Sequence, residues 1–188
     1  MKYRQDLSFI ATLSSTTEGF EGQIDSVEYR SGAVTYTRGD WLTLTTVPDL
    51  DPQRFWFGCY EDDNQLRFEI RTFTPDKSLA LHYKGLALSH NHYVGLYTLK
   101  PSERTVWQVR ASGGVFDTPM LGMHHDITLT TTGHRPLGPS QPGKARNPIE
   151  NCYVRVVTRP FRLALNIERN HVPFFDSFAS NALPDLYR

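Results

Sequence analysis

His90-Asn91-His92 is a stretch whose residue types and spacing could do chemistry directly. On a strand, a His-x-His spacing puts both imidazoles on one face, where they form a metal pair. His124-His125-Asp126 occupies the equivalent turn of a later, similar stretch. A site of His90, His92, His124 and Asp126 would suit zinc or another divalent first-row metal, and one reading of the chain is a metal-dependent enzyme built on these turns. The other is that exposed polar turns simply accept His and Asp. Nothing of an HNH-nuclease motif surrounds His90-Asn91-His92.

Aromatic residues beside polar turn residues suggest a different chemistry. A sugar ring has an apolar face that stacks on Trp or Tyr, while Asp, Asn and His bind its hydroxyls. Four places combine both: Asp40 with Trp41, Asp51 with Trp56, His90, Asn91 and His92 with Tyr93, and Asn151 with Tyr153. The competing reading puts Trp41, Trp56 and Trp107 in the core, Trp107 above all.

Other constellations carry less. There is no Gly-x-Ser-x-Gly, and neither cysteine sits in a protease context. Asp49 with Asp51, and Glu61-Asp62-Asp63, could serve as paired carboxylates, and Asp62, Asp63 and Asn64 could offer oxygens to calcium. Adjacent acids in a turn also read as a solvated loop. Arg38-Gly39-Asp40 spells an integrin-binding tripeptide, yet Gly-Asp is ordinary turn chemistry.

These residues are spaced by short alternating apolar segments, which read as strands. Residues 1–32 give an N-terminal hairpin, with strands over 7–13 and 22–29 and a turn over 14–19. A four-strand phrase then recurs three times across residues 33–167. The second strands begin at Trp41, Leu86 and Ile127, a spacing of roughly 40 residues. A tight turn is expected at Thr37 to Asp40, with Gly39 at positive φ. Residues 133–148 form a long loop carrying Arg135, Lys144 and Arg146. Residues 168–188 form an aromatic tail with Phe174, Phe175 and Phe178, and one short helix is expected over 176–183, capped by Asp176.

The three-unit pattern resembles the β-trefoil proteins, including ricin-B-like lectins, over roughly residues 33–167. In those lectins the fourth strand of each unit carries Gln-x-Trp. The matching places here are Gln65-Leu66-Arg67-Phe68, Thr105-Val106-Trp107 and Pro160-Phe161, with the aromatic kept and the glutamine spacing not. The resemblance implies a β-trefoil fold and glycan recognition. The stretch from Ser78 to Ser102 is similar in rhythm to bacterial inclusion-body proteins of the PixA/AidA type, which also have a Gly-Asp before a strand. That similarity implies a structural, self-assembling role.

Composition sets the outer limits. Lys plus Arg and Asp plus Glu are both 20, so there is no net charge to neutralise a phosphate backbone, and nucleic acid is not an expected partner. No apolar run reaches the roughly 20 residues needed to span a bilayer. The segment Leu7 to Leu13 is too short and polar for a signal peptide, so the chain is expected to be cytoplasmic or released without one. The two cysteines, Cys59 and Cys152, have no metal spacing and read as free thiols, with one long-range disulfide as the alternative.

The sequence therefore reads as one all-β domain over residues 1–188, a β-trefoil with an N-terminal hairpin and a C-terminal tail. A Greek-key or jelly-roll β-sandwich is the alternative. The expected function is non-enzymatic, lectin-like glycan binding without a cofactor, with a homo-oligomer contact through the aromatic tail.

Overall fold

The structure is a computed structural model, and it describes residues 1–29, 36–74, 83–100, 103–112, 114–141 and 152–174. Asn151, the helix expected over 176–183, and Phe175 and Phe178 of the tail lie outside the described residues.

The regular structure of the described residues is almost all strand, with a short 3-10 turn at Gln5–Leu7. The strands are β1 (Lys2–Tyr3), β2 (Phe9–Thr17), β3 (Phe20–Tyr29), β4 (Tyr36–Thr45), β5 (Arg54–Asp62), β6 (Gln65–Phe73) and β7 (Gly85–Leu88). They continue with β8 (Val94–Tyr97), β9 (Val106–Ala111), β10 (Gly114–Val115), β11 (Gly122–Thr131), β12 (Leu137–Pro139), β13 (Cys152–Val156) and β14 (Leu163–Asn170). Every pairing between them is antiparallel. Nine strands close a barrel in the order β2, β3, β4, β8, β7, β6, β9, β11, β14 and back to β2. Closure removes the free edges that an open sheet would expose. Outside it, β10 pairs with β9, β13 with β4, β1 with β5 and β12 with β13. Strand β12 lies within the loop expected over 133–148.

Strand β5 pairs with the first half of β2 and with all of β6, and is buried on both faces. Phe55, Phe57 and Cys59 face the main core with Phe9, Phe68, Trp107 and Leu165. Trp56 faces a second cluster with Ile10, Phe73, Tyr83 and Val172. That double burial explains the unbroken run Phe55-Trp56-Phe57-Gly58-Cys59-Tyr60. Cys59 and Cys152 are buried and form no disulfide, and burial pushes the Cys59 thiol up to about 12.

Gly58 is needed because the six-membered ring of Trp56 lies against it. A Cβ there would collide with Trp56 Cη2. The ring is hemmed in by Tyr3 and Tyr83, with centroids 6.4 Å away in each case. Gly58→Ala is expected to cost about 1–3 kcal/mol by overpacking, read as a lowered midpoint in urea unfolding.

The pairing departs from a three-unit trefoil. The three second strands fall in β4, β7 and β11, and the fourth strands in β6, β9 and β14. Strand β6 pairs directly with β9, whereas β14 lies beyond β11, so the fourth strands have no equivalent neighbours. Short alternating strands look alike in sequence whichever partner they take. The N-terminal hairpin is present as β2 and β3, but it is central: β2 also pairs with β14 and β5.

The turn expected at Thr37 to Asp40 is instead part of β4. Asp25 pairs with Thr43 and Val27 with Arg38, so Gly39 to Leu42 bulge opposite Ser26. The fully buried Asp25 fixes this bulge. Its carboxylate accepts two bonds from Arg38, each 2.9 Å, and others from the backbone N–H groups of Ser26 and Gln53. Gly39 has ordinary φ, and its hydrogen side faces the Glu28 carboxylate, 2.9 Å from where a Cβ would sit. Arg38 is thus tied down, and Arg38-Gly39-Asp40 is not a presented tip.

Candidate functional site

The bulge in β4 lies where the sheet forks. Trp41 pairs with Gly95 of β8, while two residues on, Thr43 pairs with Tyr153 of β13. Strand β13 enters at this point, and Tyr93 bridges to Arg155 across the gap. The side chains on the outer face of the fork enclose a cleft of about 480 Å³ lined by Trp41, Ser89, His90, Asn91, Tyr93, Tyr97 and Tyr153.

Each wall has a local cause. In β13 the burial alternates, with Cys152, Val154 and Val156 inward and Tyr153 and Arg155 outward. Tyr93 and Tyr97 flank β8 on the outer side with Gly95 between them. The Tyr97 ring leans back over Gly95, 2.6 Å from where a Cβ would be. Trp41 meets Tyr93 edge-on at 6.3 Å, and Tyr153 meets Tyr93 edge-on at 6.2 Å. Three rings therefore present differently oriented faces to one small space.

The polar rim comes from the turn between β7 and β8. The Tyr93 N–H donates to the Ser89 hydroxyl at 3.1 Å, and the His92 N–H to the Ser89 carbonyl at 2.9 Å. His92 takes φ 65°, a left-handed conformation that closes the turn. His90 and Asn91 stand exposed at its tip, and neither side chain makes a hydrogen bond among the described residues.

Five of the residues expected from sequence, Trp41, His90, Asn91, Tyr93 and Tyr153, meet at this cleft. Others do not. Asp40 is held by Lys84, Nζ to Oδ1 2.5 Å. Asp51 sits in an exposed loop paired with Arg54 at 3.2 Å. Trp56 is wholly buried in the second core cluster, so no ligand reaches it. Trp107 is also core, and its Nε1–H donates to the Leu86 carbonyl at 3.2 Å. His92 is outside the lining because its left-handed backbone breaks the alternation that would pair it with His90.

The metal set does not converge. His90 and His92 are on the β7–β8 turn, whereas His124 and Asp126 are on β11, with β6 and β9 between them in the sheet. His124 Nε2 lies 2.7 Å from the Met120 carbonyl, its ring against Phe116. Among the described residues no three His, Cys, Asp or Glu side chains are grouped to hold a metal ion. Likewise Asp63 and Asn64, both at positive φ, are the two central residues of the β5–β6 hairpin turn.

Sequence reasoning misses Ser89 and Tyr97 of the lining, and Arg155, which lies over the ring of the lining residue Tyr93. Tyr97 and Arg155 each follow a cleft aromatic on the same strand face, at Tyr93 plus four and Tyr153 plus two, and that period is the available signal. Gly95→Ala is expected to displace Tyr97 with little loss of melting temperature, because that ring is only half-buried. Ligand affinity should fall roughly tenfold, or about 1.4 kcal/mol, by calorimetric titration.

No helix among the described residues is long and apolar enough to cross a membrane. Compared with known proteins, the chain matches no family, no curated protein and no solved structure.

Proposed function

We propose that the protein is a non-enzymatic carbohydrate-binding module whose site is the cleft at the β4–β8–β13 fork. One observation carries the reading: aromatic faces of Trp41, Tyr93, Tyr97 and Tyr153 converge beside the exposed polar groups of His90 and Asn91. A pyranose ring buries its apolar face on such rings, and the rim meets its hydroxyls. The cleft draws Trp41, Tyr93 and Tyr153 from the three separate sequence phrases. It is one composite site, not three repeated ones. A glycan-array screen of the purified protein, with and without EDTA, tests the reading. Saturable binding to one glycan class, unchanged by EDTA, is expected; a blank from folded protein contradicts it.

A second reading, self-assembly, is favoured by an exposed apolar patch. Val115, Met120, Leu121 and Met123 are each more than half exposed. Sedimentation over a range of concentrations and salt separates the two: reversible higher oligomers support assembly, and a single species at all concentrations opposes it.

A further inference from the structure

We infer that the cleft selects an acidic sugar, a pyranose carrying a carboxylate, through Arg155; this rests on the carbohydrate reading above. Arg155 follows Tyr153 by two residues and shares its outward face on β13. Its guanidinium carbon lies 5.0 Å from the ring centroid of Tyr93, one of the residues that line the cleft.

Among the described residues, no carboxylate balances the charge of Arg155. Arg38, Arg54, Arg71 and Arg104 each hold a carboxylate, at 2.9, 2.8, 2.5 and 2.9 Å. Arg155 has no such partner among the described residues, and its Nε is shielded from solvent without a hydrogen bond. A guanidinium stays ionised, and its planar fork matches a carboxylate through two parallel N–H donors. Its place over the Tyr93 ring holds the guanidinium beside the cleft in advance of binding.

The lining also argues for an anion. Among the described residues it contains no Asp or Glu, and Asp40 beside it is taken by Lys84. Perpendicular aromatic faces alone would suit a quaternary ammonium ion. Such a cation would here sit next to the charge of Arg155 with no acid among the described residues to offset it. A neutral sugar would leave the guanidinium donors unsatisfied in a partly desolvated place. A ring carboxylate satisfies them while the sugar's apolar face meets the aromatics.

The test is a calorimetric or NMR titration of the full chain with methyl glycosides of glucose, galactose and mannose, each beside its uronic acid. At low salt, at least one uronic acid is expected to bind tenfold or more tighter than its neutral partner. In Arg155→Gln that preference should shrink to within about twofold, while Arg155→Lys, which keeps charge without the fork, retains part of it. A neutral sugar bound as tightly as its uronic acid by the unaltered protein overturns this inference and leaves the carbohydrate reading standing. A preference that survives intact in folded Arg155→Gln also overturns it. No saturable binding of any sugar overturns both.

Discussion

Trp41→Ala is expected to weaken glycan binding about thirtyfold or more while the barrel stays folded. An aromatic anchor in a binding pocket costs about 2 kcal/mol or more when truncated, and 1.4 kcal/mol is a factor of ten. Trp41 is half-buried, meets the edge of Tyr93 and belongs to neither core cluster, so its removal takes little from the core. Tyr93→Ala should do the same, since Tyr93 is the ring on which Trp41, Tyr153 and Arg155 all converge. Asp51→Ala and His124→Ala are the controls. Both residues lie away from the cleft, and both variants should bind as the unaltered protein does. Titration with the strongest array glycan, alongside thermal melts, reads both halves of the expectation. A Trp41→Ala variant of full affinity would place the site elsewhere.

Glu69→Ala should cost far more stability than any of the cleft substitutions, about 3–5 kcal/mol. Glu69 is buried on β6, 1% exposed. Its two oxygens are shared by Arg71 Nε at 2.7 Å, Arg104 Nε at 2.9 Å and the Tyr60 hydroxyl at 3.1 Å. Arg71 also lies over the Tyr83 ring and Arg104 over Tyr60, both at 4.9 Å. Removing the carboxylate leaves two guanidinium groups facing each other in a largely dry place. The cost comes from those stranded charges rather than from lost packing. Replacing Glu69 and Arg71 together by Leu and Met should therefore recover part of the loss. Urea unfolding of the single and double variants measures both terms. A single-variant cost below about 1 kcal/mol would mean that water reaches these arginines.

The same strand shows what is legible in the sequence. The alternation over Leu66-Arg67-Phe68-Glu69-Ile70-Arg71 correctly gives strand β6 and its inward residues Phe68 and Ile70. Alternation cannot tell what covers the other face. Glu69 and Arg71 would be read as solvated, yet they are buried by contacts with Tyr60, Tyr83 and Arg104, residues from other parts of the chain. Trp56 misleads for a related reason. An acid near an aromatic looks like a sugar site, but β5 is buried on both sides, and Trp56 folds onto Gly58 instead of facing water.

At the cleft, Trp41, His90, Asn91, Tyr93 and Tyr153 are legible because each is an aromatic or polar residue at a strand end or turn. Their convergence is not. It depends on the pairing of Thr43 with Tyr153, which joins residues far apart in the chain, and on the β4 bulge, which the Gly39-Asp40 pair disguises as a turn. Arg155 carries no chemical signal of its own in the sequence. Its importance comes from what it lacks in three dimensions, a carboxylate partner among the described residues.

The most direct test of the carbohydrate reading uses the three tryptophans as reporters. Trp56 and Trp107 are fully buried, and Trp41 alone lines the cleft. Their indole N–H signals can be followed by NMR while the strongest array glycan is titrated in. Binding at the fork should move the Trp41 signal saturably and leave those of Trp56 and Trp107 nearly still. A glycan that binds without moving Trp41, or the absence of any glycan that binds, would contradict it.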